Sequence, residues 1–267
     1  MEIGYDTPLS KISFNLYKGQ KLGVIGANGT GKSTLLKTIV GKEKPISGNF
    51  VLGHNVKIGY FDQKMAELFS EKTIFDDFYE EFSNLTVTEI RNSLAAFMFY
   101  GEDVFKKISM LSGGEKVRYA LCKILKTKPN FLILDEPTSG LDPVVRSEIL
   151  DIFRKYIEED EERSILLSTH ITTDLEHISD YIVFIDKGKI VLNVPTLELL
   201  EEYGVAKCTK EEFSKINEKD CISYKKGKYQ YEVLVNDKNS FKKKYNITSI
   251  DKPSIDDIML FYIKGER

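Results

Sequence analysis

The segment GANGTGKST, from Gly26 to Thr34, combines residue types and a spacing that suit the binding of polyphosphate. Gly26, Gly29 and Gly31 allow the backbone to bend so that its N–H groups line one concave wall. A helix predicted to begin near Lys32 directs the positive end of its dipole at the same place. Because the spacing fits the pattern G-x-x-x-x-G-K-[ST], we expect a phosphate-binding loop here.

Polar side chains of this loop are each expected to contact a different part of a nucleoside triphosphate. Lys32 would reach the β- and γ-phosphates, and the Ser33 hydroxyl would take one position on Mg²⁺. Thr34 would add a hydroxyl and an N–H near the α-phosphate, and Asn28 is a further predicted contact. A glycine-rich turn without function is disfavoured, because an apolar run precedes the loop and a helix-forming run follows it.

The run FLILDEPTSGLD, residues 131–142, places two carboxylates at the carboxyl end of a predicted buried strand, where open α/β sheets bind their ligands. Asp135 would hold Mg²⁺ through water, and Glu136 would orient and deprotonate the attacking water. An Asp-Glu pair alone would be interpreted as a turn at the end of a strand. Because a phosphate-binding loop precedes the pair, we predict a catalytic role.

The segment LSGGEKVR, residues 111–118, predicts a second anion site at the start of a helix. Ser112 supplies a hydroxyl, Gly113 and Gly114 leave backbone N–H groups free, and the helix dipole adds positive potential. Glu115 completes the motif and is predicted to contact nucleotide with them.

Apolar patterns place these motifs on an α/β fold. Continuous apolar runs predict strands buried on both faces of a parallel sheet, and alternating runs predict a small antiparallel sheet. Aromatic residues and leucines at helical spacing predict a helical lobe over about residues 65–110. The predicted parallel strands are 131–134, 164–167 and 181–185, the antiparallel strands are 12–16, 49–52 and 56–61, and the helices are 33–40 and 143–156.

The character of the chain changes near its C-terminus, so we predict a large domain over residues 1–204 and a small α/β appendage over 205–267. In the appendage, residues 221–235 alternate across Lys226-Gly227 like a hairpin, and Ser254 to Asp257 resembles a capping box that opens a last helix. Lysines 242–244 are interpreted as a solvated helix face rather than a binding site.

Composition describes an ordinary globular protein. The chain has 38 Lys and Arg against 41 Asp and Glu, so its charge gives no reason to expect nucleic-acid binding. No apolar run approaches the ~20 residues that span a bilayer, and the start lacks the features of a signal peptide. We therefore expect a cytoplasmic protein without direct membrane insertion. The three cysteines lack metal-ligand spacing and are expected to be free thiols.

Taken in order, these motifs resemble the nucleotide-binding domains of ABC ATPases. The matching phrases are the glycine-rich loop, Gln63 in GYFDQ, LSGGE, DEPT, SGLD and His170 in LLSTH. The resemblance implies an ATPase with the P-loop NTPase fold that uses ATP and Mg²⁺. In that family two domains pack head to tail, and each ATP lies between the P-loop of one and the LSGGE of the other. One chain here carries one of each, which implies an ATP-dependent homodimer.

The same resemblance implies roles for four more residues. Gln63 resembles the glutamine that senses Mg²⁺ and the attacking water, and Asp142 resembles the aspartate that communicates across the dimer. His170 resembles the switch histidine that touches the γ-phosphate. A lone histidine more often packs in a core, but this one ends a predicted buried strand at the edge where the ligand would lie. Tyr5 is similar to the aromatic residue that stacks on adenine.

Two subfamilies are resembled in one chain. Residues 1–138 resemble the second nucleotide-binding domain of ABC-F proteins, which act on ribosomes, through GHNVKIGYFDQ, RNSLAAFMFYGEDVFKKIS and LSGGEKVR. Residues 139–267 resemble the ATP-binding subunits of ABC-2-type exporters through SGLDPVVRSEIL and ILLSTHITTDLEHISDYIVFIDKGKIV. A chimera joined near Thr138, natural or engineered, accounts for both.

Two functions follow from these resemblances. A single ATPase domain without a linker favours the ATP-binding subunit of an exporter, held at the inner face of the cell membrane by a membrane subunit. The alternative is an ABC-F-like ATPase that acts on the ribosome in translation. A third class, a non-catalytic nucleotide-binding scaffold, is disfavoured because Glu136 and His170 are both present.

Overall fold

A six-stranded sheet carries the sequence motifs at the ends of its strands. The computed structural model of the protein describes residue 9, residues 12–67 and residues 69–266. In space the strand order is β2-β3-β4-β1-β5-β6, and the first five strands are parallel while β6 is antiparallel to β5. In chain order the strands are β1 (Lys21–Ile25), β2 (Ile58–Phe61), β3 (Phe131–Asp135), β4 (Ser164–Thr169), β5 (Tyr181–Asp186) and β6 (Lys189–Pro195).

Helices connect these strands. The helices of this part of the chain are α1 (Lys32–Ile39), α2 (Ile74–Glu81), α3 (Val87–Ala95), α4 (Gly113–Lys126), α5 (Pro143–Glu158), α6 (Thr172–Ile178) and α7 (Thr196–Glu201). Three short 3₁₀ helices, Gln63–Glu67, Gly101–Phe105 and Ile108–Met110, lie between β2 and α4. The parallel strands predicted at 131–134, 164–167 and 181–185 and the helices predicted at 33–40 and 143–156 are confirmed to within two residues at each end.

The parallel strands are buried on both faces, as their continuous apolar runs predict. Along β3, Leu132 and Leu134 pack in one apolar cluster with residues of α4, α5 and α6. Ile133 points to the other face and packs in a second cluster with Leu35 and Leu36 of α1. The sheet therefore lies between two helical layers, and polar side chains have room only at the strand ends.

The predicted helical lobe is confirmed and has a small core of its own. Residues of α2 and α3 pack around Tyr119 of α4, which fixes the lobe to the main body. The Tyr119 hydroxyl and the Lys123 ammonium lie 2.5 and 2.9 Å from Asp77 in α2. Although burial opposes ionisation of this carboxyl, the hydrogen bonds from Lys123 and Tyr119 hold the pKa of Asp77 below its usual value.

Two strands predicted near the N-terminus are wrong. In the described part of the chain, residues 12–17 and 49–53 have no strand structure, and of the run 56–61 only Ile58–Phe61 is a strand. Ile12, Phe14 and Leu16 still pack against the same cluster as α1. The alternation of apolar and polar residues therefore shows which side chains are buried, but it does not show that a neighbouring strand pairs with the segment. Both segments line a cavity of about 850 Å³.

The antiparallel sheet lies instead in the C-terminal part of the chain. The predicted fold class is confirmed, but this sheet is not where it was predicted. The order of its strands is β10-β7-β9-β8, and all its pairs are antiparallel. The predicted hairpin and capping box are both present. The elements are β7 (Gly204–Cys208), α8 (Lys210–Phe213), the 3₁₀ helix Glu218–Asp220, β8 (Ser223–Lys226), β9 (Tyr231–Val235), α9 (Lys238–Tyr245), β10 (Ile250–Asp251) and α10 (Ile255–Lys264).

Helix α10 returns to the main body. Ile255, Ile258 and Phe261 pack in the cluster that also contains Leu175 of α6 and Ile182 of β5. The division into two domains at residue 204 stays a prediction, because this core is continuous across the boundary. Among the helices formed by the described residues, none is long and apolar enough to cross a bilayer.

Gly114, near the start of α4, allows the close packing of that helix on α5. A Cβ atom built there would lie 2.4 Å from Cγ1 of Val145. We expect Gly114→Ala to destabilise the protein by about 1–3 kcal/mol, because the added methyl overpacks this contact. The measurement is chemical unfolding followed by circular dichroism.

The neighbouring Gly113 is the matched control, because its built Cβ has no neighbour within 4 Å. Gly113→Ala should be neutral or stabilise the helix by up to about 1 kcal/mol. Equal stability of the two variants would contradict a specific contact at Gly114.

Candidate nucleotide-binding site

The glycine-rich loop joins β1 to α1, and two of its glycines have backbone angles that side chains rarely adopt. Gly29 and Gly31 have φ values of 81° and 94°, and Gly31 is the residue that caps α1. A Cβ at Gly31 would also lie 2.8 Å from the buried side chain of Leu9. Glycine is therefore required at this position for both conformation and space.

The Lys32 side chain folds back over the loop that precedes it. Its Nζ donates hydrogen bonds to the carbonyl oxygens of Gly26 at 2.8 Å and Ala27 at 3.3 Å. The same atom lies 3.2 Å from Oε1 of Glu136. The lysine is buried, so water screens its charge little and the charge acts strongly within the cavity.

Asp135 ends β3 as a buried carboxylate with two hydroxyl partners. Ser33 Oγ donates to Oδ1 at 3.0 Å, and Ser168 Oγ donates to the same oxygen at 2.6 Å. Ser33 is in α1 and Ser168 is in β4, so the carboxylate joins three elements. Such hydrogen bonds offset the cost of burying a charged group.

Glu136 leaves the strand in a strained conformation. Its φ of 50° lies in the left-handed region, which is unfavourable for a residue with a side chain. Its backbone N–H donates to the carbonyl of Ser168 at 3.0 Å, which holds the turn. The carboxylate lies between Lys32 and His170, with 2.7 Å between Oε2 and His170 Nδ1. The strain thus directs Glu136 toward the cavity rather than along the sheet.

These residues border one cavity of about 340 Å³ at the carboxyl ends of the strands, where α/β sheets bind ligands. Nine predicted site residues line it, and Ser139 is a further lining residue that was not predicted. Gly26 and Asp135 contact the lining through Lys32 and Ser33. Tyr5 lies outside the described residues. The nine are Asn28, Gly29, Gly31, Lys32, Ser33, Thr34, Gln63, Glu136 and His170.

The LSGGE motif lies elsewhere in the same chain. No residue of 112–115 is among the described residues that line the cavity, and Asp142 is also absent from that lining. Ser112 and Glu115 form a capping box at the start of α4. Asp142 caps α5 by accepting hydrogen bonds from the N–H groups of Val144 and Val145. Their predicted contacts with nucleotide stay predictions.

Sequence reasoning missed two hydroxyls and one carboxylate near the site. Ser168 is completely buried beside Asp135, and Ser139 lines the cavity. Asp174, four residues after His170, is also completely buried. For Ser168 a signal existed, because a hydroxyl stands where the apolar run of a buried strand reaches the ligand edge.

Comparison with known proteins gives the class of this chain. The family model described as ABC transporter matches residues 9–139. The chain is 39% identical over 221 residues to the putative ATP-binding protein YdiF of Bacillus subtilis, an alignment that covers 78% of this chain and 34% of that protein. It is 32% identical over 192 residues to ABC transporter F family member 5 of Arabidopsis thaliana, with 70% and 27% covered.

A third relative is the energy-dependent translational throttle protein EttA of Escherichia coli O6:H1. The chain is 34% identical to it over 203 residues, which cover 73% of this chain and 35% of that protein. The chain thus spans about a third or less of the length of these curated relatives.

Solved structures share the fold. The chain superposes on cbiO1 of Clostridium perfringens, part of the ABC transporter complex cbiONQ, with a TM-score of 0.62, 26% identity and coverage of 74% and 87% of the two chains. The dimeric ATP-binding cassette MJ0796 bound to ADP and Pi gives a TM-score of 0.58 at 21% identity, with 68% and 88% covered. The fold, the site and the matched residues 9–139 are those of an ABC-type ATPase domain.

Within this class, the curated relatives named above include ABC-F proteins. Residues 1–138 are about half of the chain, whereas the alignment with F family member 5 covers 70% of it. Similarity to an ABC-F protein therefore continues past Thr138. The exporter resemblance predicted for residues 139–267 finds no support among these relatives, and the chimera stays a prediction.

The geometry around Glu136 predicts the effect of removing its charge. Glu136→Gln keeps the size of the side chain but cannot take a proton, so we expect ATP hydrolysis to fall ~10²-fold or more while ATP still binds. Phosphate release and binding of a fluorescent ATP analogue measure the two properties. Lys32→Ala should weaken binding itself, because the charge predicted to meet the phosphates is lost.

The control for this experiment is Asp151→Asn, which removes an exposed carboxylate on α5 that pairs with Arg154. It should leave both properties unchanged. Near-normal turnover by Glu136→Gln would show that Glu136 is not the base.

Proposed function

We propose that this ABC-type ATPase domain is of the ABC-F type and uses ATP binding and hydrolysis in translation, on the ribosome. The observation that carries the proposal is the set of relatives. A translational throttle protein and an F family member align over 73% and 70% of the chain at more than 30% identity. It is the alternative function that the sequence predicts, and these relatives favour it over the exporter.

ATP would bind with its phosphates in the glycine-rich loop. Gly29 and residues 31–34 line the cavity at the start of α1, so backbone N–H groups and the positive end of the helix would face the phosphates. Lys32 contributes the charge that the β- and γ-phosphates require.

The residues present also fit Mg²⁺. Ser33 and Asp135 offer oxygen atoms 3.0 Å apart, and the Gln63 side chain lines the same cavity. Magnesium prefers such oxygen ligands and keeps several waters. Ser33, Gln63 and Asp135 would hold the ion, which neutralises charge on the phosphates when bound. Ser168 keeps Asp135 in place for this role.

Glu136 and the phosphates compete for one ammonium group. Lys32 Nζ lies 3.2 Å from the Glu136 carboxylate. When the lysine turns to the phosphates, the carboxylate is released to accept a proton from the attacking water. His170 Nδ1 lies 2.7 Å from Glu136 Oε2, and His170 lines the cavity, where it would contact the γ-phosphate. Substrate binding thus prepares the base.

A second ATPase domain would complete the site. Ser112 and Gly113 are exposed at the start of α4, away from the cavity of their own chain. In the head-to-tail arrangement they would contact ATP held by the P-loop of the other domain. The structural neighbour MJ0796 is a dimeric cassette bound to ADP and Pi, which supports a dimer for this chain. The partner is a second copy of this chain.

A second candidate function is the exporter subunit. It rests on the phrase SGLDPVVRSEIL and on the likeness to cbiO1, which is part of a transporter complex. In that case the helical lobe would receive a membrane subunit.

Dimerisation should depend on Ser112. In the Glu136→Gln background, Mg-ATP should convert monomer to dimer, because each nucleotide then adds contacts to both subunits. Ser112→Arg should block this dimer yet preserve ATP binding. Sedimentation velocity with and without ATP measures the conversion. Ser214→Arg, the same change at an exposed site in the C-terminal part, is the control and should still dimerise. If the Glu136→Gln protein with Ser112 intact stays monomeric at saturating ATP, the proposal is contradicted.

The cellular partner decides between the two functions. Tagged Glu136→Gln protein should sediment with ribosomes in a sucrose gradient that contains ATP, because slow hydrolysis prolongs the ATP-bound state. Lys32→Ala protein should not, since it cannot form that state. Sedimentation of the Glu136→Gln protein with membranes and an integral membrane protein would instead establish the exporter function.

A further inference from the structure

A buried carboxylate outside the cavity links three segments that carry predicted site residues. Asp174 is completely buried in α6 and has two partners from different parts of the chain. Thr138 Oγ1 donates to its Oδ2 at 2.6 Å, and Arg146 Nε donates to its Oδ1 at 2.6 Å. Arg146 also donates to the hydroxyl of Thr173.

Each partner lies close in sequence to a residue of the site. Thr138 comes two residues after Glu136, and it is itself buried. Arg146 follows Asp142 by one helical turn in α5. Asp174 follows His170 by four residues, at the start of α6. The carboxylate therefore fixes the turn after the base, the helix capped by Asp142 and the segment after the histidine to one point.

The contact between His170 and Glu136 is short, and it depends on the relative position of these segments. His170 Nδ1 lies 2.7 Å from Glu136 Oε2, and the two residues come from separate strand ends. Glu136 also has an unfavourable backbone angle, so its turn must be held by neighbouring contacts. Ser139 N donates to the Glu136 carbonyl at 3.2 Å, so the turn continues directly into Thr138 and its partner.

We propose that Asp174 is a positioning residue for ATP hydrolysis, which acts through Thr138 on Glu136 and through α6 on His170. It does not touch nucleotide. A buried charge is retained at this place because both its oxygens accept hydrogen bonds, one of them from a guanidinium. This inference rests on the proposed role of Glu136 as the base.

The main test uses two variants of Thr138. Thr138→Val removes the hydroxyl but keeps the shape, whereas Thr138→Ser keeps the hydroxyl. We expect Thr138→Val to lower kcat about 10- to 100-fold, since small displacements of catalytic groups have effects of that size. The Kd for ATP should change by less than about twofold, and Thr138→Ser should hydrolyse ATP at close to the normal rate. Asp174→Asn should behave like Thr138→Val, because an amide has one acceptor where the carboxylate has two.

A double-mutant comparison separates positioning from general damage. If Asp174 and Thr138 act through Glu136, then Thr138→Val should slow single-turnover hydrolysis in the normal background and add little in the Glu136→Gln background. An equal loss in both backgrounds, or a normal kcat for Thr138→Val, would overturn the inference. Thermal unfolding of each variant shows whether it is folded, and if Asp174→Asn is not, the Thr138 pair alone decides.

Asp256→Asn is the control for a different polar contact made by α6. Asp256 in α10 accepts a hydrogen bond from Thr172 Oγ1, at the start of α6, at 3.0 Å, whereas Thr138 and Arg146 donate to Asp174. This variant should keep its kcat, and a loss equal to that of Thr138→Val would mean that any loosening of α6 is sufficient. Failure of the base itself is distinguishable, because Glu136→Gln would then hydrolyse ATP at the normal rate.

Discussion

The buried carboxylate of Asp135 constrains the rest of the site. It ends β3 among apolar side chains, and it is tolerable there only because Ser33 and Ser168 donate hydrogen bonds to it. Those two hydroxyls belong to α1 and β4, so the charge sets the distance between the glycine-rich loop and the neighbouring strand ends. Glu136, with its strained backbone angle, is the next residue, so the position of Asp135 also fixes where this turn begins. The position of the polar site is therefore set by the end of β3, where hydroxyl groups can stabilise a buried carboxylate.

Local patterns predicted the parts of the fold that local physics decides. Strands buried on both faces appear as continuous apolar runs, and β3, β4 and β5 formed where such runs stand. The glycine-rich loop was predictable because its positive φ values require glycine, and those glycines are visible in the sequence. The strands expected at residues 12–16 and 49–52 are absent, because their formation does not depend on local sequence alone. Alternation shows which side chains are buried, but a strand also needs a partner, which depends on distant parts of the chain.

Distance along the chain also explains which site residues were missed. Ser168 meets Asp135 across 33 residues, and Thr138 meets Asp174 across 36. Neither pair has a spacing that a motif could reveal, because the pairing arises from the parallel order of β3 and β4. Glu136 and His170, by contrast, were found from motifs, and the structure supplies their mutual distance. Sequence thus indicated the proposed reacting groups better than the groups that hold them.

The C-terminal part is attached to this arrangement by packing more than by polar contacts. Ile255, Ile258 and Phe261 of α10 are buried in the same cluster as Leu175 of α6. Burial of such side chains contributes roughly 1.5–3 kcal/mol each, whereas a single partly buried hydrogen bond such as that of Asp256 with Thr172 contributes about 1 kcal/mol. Since α6 begins two residues after His170, a displacement of α10 must be transmitted to α6 unless apolar surface is exposed. The appendage is therefore mechanically part of the ATPase core, whatever its own partners are.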